Sequence, residues 1–598
     1  RTTCSNCLPI QTFRSSYSSS TLSTITNEIG GADPSAQDVA ANILIGAQTV
    51  SSMTILNEGA VDVDFGFNFS TIVNTNESGQ GSLEQFIINS NNLDETGLNI
   101  EANSIFNPAA GEDTSIFMIP PTADPLGRSA DGNFTSGYFN IVINGASNLS
   151  AITADNTHID GRTQTAYSGD TNTGNITPAV ANVGVSSNSL PTYNLPEIQI
   201  DGSTLGDVFT VQANGVTIRN TAIFANGNVG IQNTSGSNPD PVIITDNLLG
   251  VNADGVLGTR LSRAIRVSGG AVTQISNNYV SQNASTGISI NGGTSTAMQY
   301  NTIESNGTNT CADGIELSSG TGVTIQYNLI NNTAAIGIEG WQYPGGAIID
   351  ENTITNSGQN GGICSGVIEN SGIRLFGSNS SITSNIVANS GGAGIVITGG
   401  TTSGNLISQN STYANGTASQ ALGIDIDQTI GGNPVGDGVT LNDNGDTDTG
   451  PNGSLNFPEF ESATISGTTL TVVGWARPGA IIEFFTSDIN EGTATAGDNQ
   501  LGLTQDYGEG QIYLGSATEG SASDLDATIS SYTDADGNTD TTNRFSFSIT
   551  LSTTLPTGSL ITATATVSNS TSEFGNTFPL SAATVITNRR ITYRVKPN

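Results

Sequence analysis

Residues 328–340 read Asn-Leu-Ile-Asn-Asn-Thr-Ala-Ala-Ile-Gly-Ile-Glu-Gly, and this phrase returns throughout residues 214–428. It consists of an Asn inside an apolar run and, about ten residues later, a Gly-Ile step or its equivalent. The asparagines are Asn220, Asn247, Asn278, Asn301, Asn328, Asn352, Asn385 and Asn405, and the steps are Gly230-Ile231, Ala264-Ile265, Gly287-Ile288, Gly314-Ile315, Gly337-Ile338, Gly372-Ile373, Gly394-Ile395 and Gly423-Ile424. Repeats of roughly 20 to 35 residues with short apolar and polar alternations indicate a solenoid of β-strands. Because each repeat is too small to bury its own apolar face, the repeats must stack into a rod.

The length and net charge of the chain limit its domain organisation and its partners. The chain has 598 residues, which is too long for a single core, so several domains are expected. Lys and Arg total 15 against 52 Asp and Glu, a net charge of −37. Nucleic acids and anionic membrane surfaces reward clustered positive charge, so neither is expected as a partner. No run of 18 apolar residues predicts a membrane-spanning segment. The single His and three Met are typical of a secreted surface protein.

The regions that flank the repeats have patterns of their own. Residues 61–69 alternate in polarity and predict a strand. Ser82 and Gln85 fit a capping box at the start of a helix, the only helix that the sequence predicts. This helix is expected to cover the open first coil of the solenoid. From about residue 462, short apolar strands separated by turn residues predict a small antiparallel β-sandwich.

The predicted organisation therefore has six parts. They are a β-rich segment (1–70), a helix cap with irregular first coils (71–200), the regular coils (201–430), an acidic junction loop (431–461), a β-sandwich (462–580) and a basic C-terminal strand (581–598).

Several phrases resemble those of a known architecture. The run 73–83, the Ile-Asp-Gly phrases at 159–161 and 200–202, and Gly423-Ile424-Asp425 leading into residues 437–443 resemble the right-handed parallel β-helix modules of large secreted bacterial surface proteins. Residues 482–485, 507–510 and 572–575 resemble the Ig-like module that often follows them. The resemblance implies an all-β fold: a right-handed parallel β-helix followed by an Ig-like sandwich. It implies no particular reaction.

One column of side chains is the candidate active face. In the Gly-Ile-x-Ile phrase the isoleucines point inward and x points outward. The stacked x positions form an outer column: Gln232, Arg266, Ser289, Glu316, Glu339, Arg374, Val396 and Asp425. Glu316 and Glu339 are expected about 5 Å apart on neighbouring coils, a spacing that suits the two carboxylates of a retaining glycosidase. Trp341 and Tyr343 are candidates for stacking on a sugar ring, with Arg374 beside them. The alternative interpretation is a charge ladder in which Arg374 neutralises Glu339.

The repeated Asn and Gly residues are interpreted as scaffold. An Asn at a tight turn tolerates left-handed backbone and binds the amide of the neighbouring coil. The glycines of the Gly-Ile steps are expected to permit close turns.

Two acidic stretches are candidates for structural calcium, since alternate oxygen-bearing side chains converge on this ion. The first, at the junction, offers Asp437, Asn442, Asp443, Asn444, Asp446, Asp448 and Asn452. The second offers Asp534, Asp536, Asn538 and Asp540 but lacks the bidentate Glu of an EF-hand. The alternatives are a solvated linker for the first stretch and an Asp-Gly hairpin for the second.

The chain has four cysteines: Cys4, Cys7, Cys311 and Cys364. The first two lack the further ligands that zinc requires. Cys311 and Cys364 are expected two coils apart, which is too far for an unstrained disulfide unless a loop bends back.

The basic C-terminal strand carries Arg589, Arg590, Arg594 and Lys596. A basic strand on an acidic body can join copies head to tail, although it can also complete its own sandwich. The sequence thus favours a non-catalytic, secreted cell-surface protein: an adhesin or a subunit of a self-assembling extracellular fibre. The alternative is a polysaccharide-binding or polysaccharide-cleaving protein, a glycoside hydrolase or lyase that uses the Glu316/Glu339 face. Surface glycans are then the second candidate partner.

Overall fold

A computed structural model describes most of the chain. The described residues are 4–18, 21–25, 65–93, 96–100, 108–123, 129–143, 148–202, 206–237, 239–308, 311–359, 363–364, 367–418, 420–428, 436–487, 501–526 and 528–583. The predicted strand at 61–69 is present as Phe65–Asn68, and residues 61–64 lie outside the described residues. The basic residues Arg589, Arg590, Arg594 and Lys596 also lie outside them.

Three long sheets wind around one axis, and each coil contributes one strand to each sheet in turn. Sheet 1 contains Asp113–Thr114, Thr157–Asp160, Thr217–Arg219, Val242–Thr245, Val272–Ser276, Ser295–Gln299, Val323–Gln326, Ile348–Asp350, Ser381–Thr383 and Leu406–Ser408. Sheet 2 contains Tyr138–Val142, Ile198–Gly202, Ala222–Ala225, Leu248–Leu249, Tyr279–Ser281, Thr302–Glu304, Leu329–Asn331, Thr353–Thr355, Ile386–Ala388 and Ser411–Tyr413, with Phe134–Thr135 added antiparallel at one edge. Sheet 3 contains Phe209–Val211, Val229–Asn233, Arg263–Val267, Ile288–Asn291, Ile315–Ser319, Ile338–Gly340, Ile373–Phe376, Ile395–Thr398 and Ile424–Ile426. All other neighbours within these sheets are parallel, so the predicted solenoid is a parallel β-helix.

The interior of the β-helix is a stack of aliphatic side chains. Ile315, Ile338, Ile373 and Ile395 pair directly across neighbouring coils of sheet 3 and are fully buried. Each fully buried Ile contributes roughly 1.5–3 kcal/mol relative to exposure. The isoleucines of the repeat thus form one continuous core rather than a series of small ones.

Asparagine side chains form a ladder along the corner between sheets 1 and 2. In each step the main-chain N–H of one coil donates to the side-chain oxygen of the next, as from Asn301 to Asn328 and from Asn328 to Asn352, both at 2.9 Å. The ladder runs Asn247, Asn278, Asn301, Asn328, Asn352, Asn385, Asn410. The predicted ladder is therefore present, with Asn410 rather than Asn405 as its last member.

Two details of the repeat differ from expectation. Left-handed backbone belongs to the residue before each ladder Asn, for example Tyr327 at φ 58°, and not to the Asn itself. Asn220 occupies this preceding position, at φ 52°. The Gly-Ile glycines are required for close packing rather than for turns: a Cβ on Gly372 would lie 2.4 Å from Val387 Cγ1 and 2.7 Å from Gly394 O.

The N-terminal part packs against the first coils. A small sheet contains Ile10–Ser18, Thr21–Ile25 and Phe65–Asn68, and Thr71–Ile72 pairs with Ile116–Phe117. The predicted helix spans Leu83–Asn92, and Ser82 Oγ accepts from Gln85 N at 3.1 Å. The reciprocal half of the capping box is missing, because the Gln85 side chain donates to Asn6 O and Asn89 Oδ1 instead.

A second helix that the sequence did not predict spans Arg162–Ser168. It is short and has no side-chain N-cap, so it carries none of the usual signals of a helix start. The remaining small elements are the hairpins Asn175–Ile176 with Tyr193–Asn194, Asn182–Val183 with Asn188–Ser189 and Ile363–Cys364 with Val367–Ile368, and the 3₁₀ turn Pro451–Ser454.

The C-terminal domain consists of two facing sheets. Sheet 4 has the order Ile529–Thr533, Thr539–Thr550, Thr469–Ala476, Glu459–Ser466, Ser581–Ala582. Sheet 5 has the order Gly510–Thr518, Ile481–Ser487, Leu560–Val567, Ser570–Thr571, and Phe578–Pro579 also pairs with Leu560–Val567. Inward side chains of both sheets, such as Phe484 of sheet 5 and Phe547 of sheet 4, share one apolar core.

Sheet 5 stacks on the last coil of the β-helix. Phe485 projects from its outer face and joins the core of the β-helix together with Phe574. Sheet 4 therefore forms the layer of the C-terminal domain farther from the β-helix.

Three glutamates of the C-terminal domain bind the last strands of the three long sheets. Glu483 accepts from Ser408 Oγ at 2.6 Å and from Gln409 N at 2.9 Å after the last strand of sheet 1. Glu509 accepts from Asn415 N at 3.0 Å after the last strand of sheet 2, and Glu573 accepts from Ile426 N at 2.8 Å in sheet 3. These carboxylates satisfy backbone donors that have no further coil to pair with.

Candidate functional site

The outer column has the register that the sequence predicts. Direct strand partners link Gln232 to Arg266, Arg266 to Ser289, Ser289 to Glu316, Glu316 to Glu339, Glu339 to Arg374, Arg374 to Val396 and Val396 to Asp425. Most of the column is covered, however: Gln232, Ser289, Glu339, Arg374, Val396 and Asp425 are buried, while Arg266 and Glu316 are partly exposed. The side chains of the outer column therefore point away from the core of the β-helix, but most of them are not exposed to solvent.

Glu339 is held in a buried ion pair. Arg374 Nε and Nη2 lie 2.8 and 2.9 Å from the two Glu339 carboxylate oxygens, which is a bidentate pair. Both side chains are about 3% exposed. Burial raises the pKa of Glu339 to about 7, because Arg374 offsets only part of the desolvation. This geometry is the charge ladder that the sequence offered as the alternative to a catalytic pair.

Glu316 has a different environment on the neighbouring coil. Its carboxylate accepts from Ser289 Oγ at 3.2 Å and lies 3.7 Å from Arg263 Nη2. Asp313, which is almost completely buried nearby, accepts from Ile336 N at 3.1 Å, and burial raises its pKa well above its ordinary value. The two carboxylates of the predicted pair therefore belong to a larger acidic cluster with arginine partners.

A loop pinned by a disulfide contributes to this cluster. Cys311 and Cys364 are bonded, with their Cα atoms 5.2 Å apart, and Cys364 belongs to the strand pair Ile363–Cys364 with Val367–Ile368. The two cysteines belong to coils that are two apart, as expected. The disulfide shows that the loops that carry them nevertheless meet. The same loop brings Glu369 Oε1 to 3.3 Å from Arg374 Nη2. Cys4 and Cys7 form a second disulfide.

The two residues that were predicted to stack on a sugar ring, Trp341 and Tyr343, lie in different environments. Trp341 is 38% exposed and packs edge-on against Phe376, with Arg374 5.6 Å from its ring centre. Tyr343 is 1% exposed and belongs to the core of the β-helix, so the prediction that it stacks on a ligand is wrong. The two-residue alternation that directs Trp341 outward ends at the Gln342 turn, where φ is 58°.

A polar groove lies at the corner that follows sheet 2. Its volume is about 260 Å³, and it spans several coils. Its walls are Arg260, Gln282, Ser305, Asn306, Gly307, Asn332, Thr333, Ala334 and Gln359. The sequence reasoning missed this groove. A usable signal was present, because Gln282, Ser305 and Asn332 are polar residues at the same turn of successive repeats.

The fold brings together only three residues of the first predicted calcium stretch. Carboxylate oxygens of Asp443, Asp446 and Asp448 lie within 4.8 Å of one another. Burial raises the pKa of Asp448 to about 6, and its Oδ1 has no hydrogen-bond partner among the described residues. Arg477 Nε lies 3.7 Å from Asp446 and partly balances the charge. Two of the three aspartates also have protein partners: Asp443 accepts from Thr447 N and Oγ1, and Asp446 Oδ1 accepts from Asn456 N at 2.8 Å. A cation held by these three aspartates is therefore a proposal.

The other members of that stretch have protein partners. Asn442 binds Phe457 and the Tyr532 hydroxyl, and Asp437 accepts from Gln428 N. Asn444 accepts from Thr541 N at 3.3 Å. Asn452 Oδ1 accepts from Asn405 N at 3.1 Å and so prolongs a second line of asparagine contacts at the end of the β-helix.

The second predicted stretch is a hairpin turn between Ile529–Thr533 and Thr539–Thr550. Asp534 accepts from Asn538 N at 2.7 Å within the turn. Asp536 accepts from Thr504 and Tyr507, whereas Asp540 lies next to the first stretch and accepts from Gly445 N at 3.0 Å. These four residues therefore do not converge.

One comparison with known proteins bears on the rod. Residues 259–367 match the family model of the right-handed β-helix region. The rod is a right-handed parallel β-helix. Among solved structures, the Dettilon tailspike protein (gp208) is 12% identical with a TM-score of 0.29, covering 78% of this chain and 87% of that one. ORF18 of Geobacillus virus E2 is 12% identical with a TM-score of 0.29, covering 74% and 80%. No curated protein matches the chain significantly.

No helix among the described residues has the length and apolarity needed to span a bilayer.

Proposed function

We propose that this protein is a non-catalytic extracellular rod, either an adhesin or a fibre subunit whose copies join through the basic C-terminal strand. The observation that supports it best is the bidentate, buried pair of Arg374 with Glu339. A carboxylate held this way is not accessible to a substrate, because both of its oxygens are bonded to Arg374 and its side chain is about 3% exposed. The outer column then serves to stabilise the fold.

Assembly is supported by the distribution of charge. The body is strongly acidic, whereas residues 581–598 carry four of the 15 basic residues of the chain. Heterologous contacts between unlike surfaces generate open filaments. Secretion to the cell surface, an Ig-like arrangement of the C-terminal domain and a capping role for the helix Leu83–Asn92 belong to the same proposal.

Removing residues 586–598 tests this function. Negative-stain images of the full chain should contain filaments, and images of the truncated chain should contain single rods. A truncated chain that forms the same filaments, or a full chain that forms none at any concentration, would contradict assembly through the tail.

The second candidate function is binding or cleavage of a polysaccharide. It is favoured by the polar groove of about 260 Å³ and by the exposed ring of Trp341. Amide and guanidinium groups such as those of Gln282, Asn332 and Arg260 are suited to sugar hydroxyls.

Substitutions separate binding from cleavage. The double variant Glu316→Gln and Glu339→Gln is compared with the parent on acidic and neutral glycans. Turnover that only the parent shows would establish a glycosidase or lyase. Equal binding by both proteins without turnover, lost in Asn332→Ala, would identify a glycan-binding groove.

A further inference from the structure

The strand Ile529–Thr533 forms one edge of sheet 4, and no described residue pairs with its outer side. Arg544 N donates to Thr528 O at 2.8 Å, so the backbone groups of Thr528 are directed towards the neighbouring strand Thr539–Thr550. Because antiparallel partners alternate, the backbone groups of Ile529, Ser531 and Thr533 are directed to the open side. Such a row of unpaired groups is a template for one more strand.

The side chains around this edge define what the added strand must carry. Leu525 and Ile529 are 74% and 71% exposed, the highest values for large hydrophobic residues in the described part of the chain. Asp524 lies before the strand, and Asp534 and Asp536 follow it. None of these three aspartates forms an ion pair with a described residue. Their carboxylates accept hydrogen bonds from neutral groups, such as Ser546 N, Asn538 N and the Tyr507 hydroxyl. The edge therefore combines apolar contact area with negative charge that has no described cationic partner.

The C-terminal segment has the complementary pattern. Within residues 590–596 polar and basic positions alternate with apolar positions, as in a strand with two different faces. One face carries Arg590, Thr592, Arg594 and Lys596, and the other carries Ile591, Tyr593 and Val595.

The described chain ends at residue 583, close to the end of the strand with which Ser581–Ala582 pairs. Ser581–Ala582 runs parallel to Glu459–Ser466, with Thr464 opposite Ser581 and Ile465 opposite Ala582. Ala583 N then donates to Ile465 O at 3.1 Å. The neighbouring strand ends one residue later at Ser466, in the turn at Gly467.

We propose that residues 584–598 of a second copy add as a strand to the open edge of Ile529–Thr533. This inference rests on the proposed assembly through the C-terminal strand, and it names the acceptor. Main-chain hydrogen bonds to Ile529, Ser531 and Thr533 hold the strand. Its apolar face covers Ile529 and Leu525, and its basic residues neutralise the flanking aspartates. Each subunit then offers one donor strand and one acceptor edge.

Mixing two single-cysteine variants of the full chain tests the contact. Ser531→Cys labels the acceptor edge on the face of Ile529, and Tyr593→Cys labels the apolar face of the donor strand that covers it, since the four native cysteines are paired in disulfides. Mild oxidation of the mixture should give a disulfide-linked heterodimer. The matched control replaces Ser531→Cys with Thr469→Cys, an exposed position on another strand of sheet 4. The expected yield with Ser531→Cys is at least tenfold higher, and Ile529→Lys in the acceptor should reduce it to the control level. Ile512→Lys, a change at an isoleucine of sheet 5 that is 53% exposed, should leave it unchanged.

The outcomes separate this inference from the function on which it rests. Equal heterodimer yields with Ser531→Cys and Thr469→Cys would overturn the acceptor edge, while filaments that depend on residues 586–598 would still support assembly. A disulfide that forms only when both cysteines are in the same chain would place the strand on its own subunit, which overturns the second copy as occupant. A full chain that stays monomeric and never cross-links would overturn both.

Discussion

At the scale of single residues, one ladder asparagine serves three coils. Asn328 Oδ1 accepts from the main chain and side chain of Asn301, both at 2.9 Å. Its Nδ2 donates to Met298 O at 2.9 Å and to Asn352 Oδ1 at 3.0 Å. No other side chain of similar size supplies one acceptor and two donors in this arrangement.

Asn328→Ala should therefore cost roughly 2–4 kcal/mol of unfolding free energy, because it leaves the buried donor of Asn301 and the carbonyl of Met298 unsatisfied. Urea titration followed by circular dichroism measures the loss. Gln274→Ala, an exposed position on sheet 1, is the control and should change stability by less than about 0.5 kcal/mol. Similar losses in the two variants would mean that the ladder contributes little.

Residue patterns predicted the register of the outer column correctly. They did not predict that most of its side chains are buried. The register follows from the two-residue alternation and the spacing of the Gly-Ile steps, both of which are local. The burial of Glu339 and Arg374 involves contacts from outside the repeat, such as that of Glu369 with Arg374. No periodic signal encodes such a contact. The last ladder residue was ambiguous for a similar reason, since Asn405 and Asn410 both fit the repeat and only the donor separates them: Ser380 N donates to Asn405, and the ladder residue Asn385 donates through its N to Asn410.

At the scale of elements, the hairpin at 363–368 has no long strands of its own and depends on its disulfide. The bond between Cys311 and Cys364 closes a segment of 53 residues in sequence. The Glu369 carboxylate lies within 4.8 Å of both sulfurs. The bond thus holds the loop where Glu369 can reach Arg374.

Cys311→Ser with Cys364→Ser should lower the unfolding free energy by roughly 2–4 kcal/mol. Cleavage by a broad-specificity protease should begin within residues 359–370, and mass spectrometry of the fragments locates it. Cys4→Ser with Cys7→Ser is the control, because that bond spans three residues at the other end of the chain. First cleavage elsewhere in the rod would show that the disulfide does not fix this loop.

At the scale of the whole molecule, buried carboxyl groups set the response to pH. Burial raises the pKa of Glu459 and Glu573 to about 8 and that of Glu339 to about 7. A carboxyl group whose folded pKa is raised binds its proton more tightly in the folded state. The resulting stability is fully present below the ordinary pKa near 4.5 and is lost as the pH rises through about 7 to 8.

The melting temperature should therefore be higher at pH 5.5 than at pH 8.5, as measured by differential scanning calorimetry at constant ionic strength. Glu573→Gln should flatten this dependence because it removes one of the titrating groups. Glu77→Gln, at a partly exposed site before the first coils, should leave the slope unchanged. A melting temperature that rises with pH between these values would contradict the assignment.

Calcium is expected to stabilise the junction between the β-helix and the C-terminal domain. If Asp443, Asp446 and Asp448 hold the ion, calcium at 100 times its Kd adds about 2.7 kcal/mol to the unfolding free energy. Thermal shift and isothermal titration calorimetry measure the effect. Asp446→Asn with Asp448→Asn should abolish it, whereas Asp534→Asn in the hairpin turn should not. A shift that survives the double variant would place any calcium elsewhere.

The direction of the hydrogen bonds also determines how this rod responds to tension. The strands of a β-helix lie across its axis and their backbone bonds lie along it, so a pull between the two ends loads those bonds one coil after another. Each coil of about 25 residues that peels away releases roughly 80 Å of chain. Under a pull on the C-terminal domain, the junction with the last coil carries the load first, through Glu483, Glu509 and Glu573 together with bonds such as that from Ile407 N to Thr571 Oγ1. The contacts of this junction thus set the force at which the rod begins to lengthen.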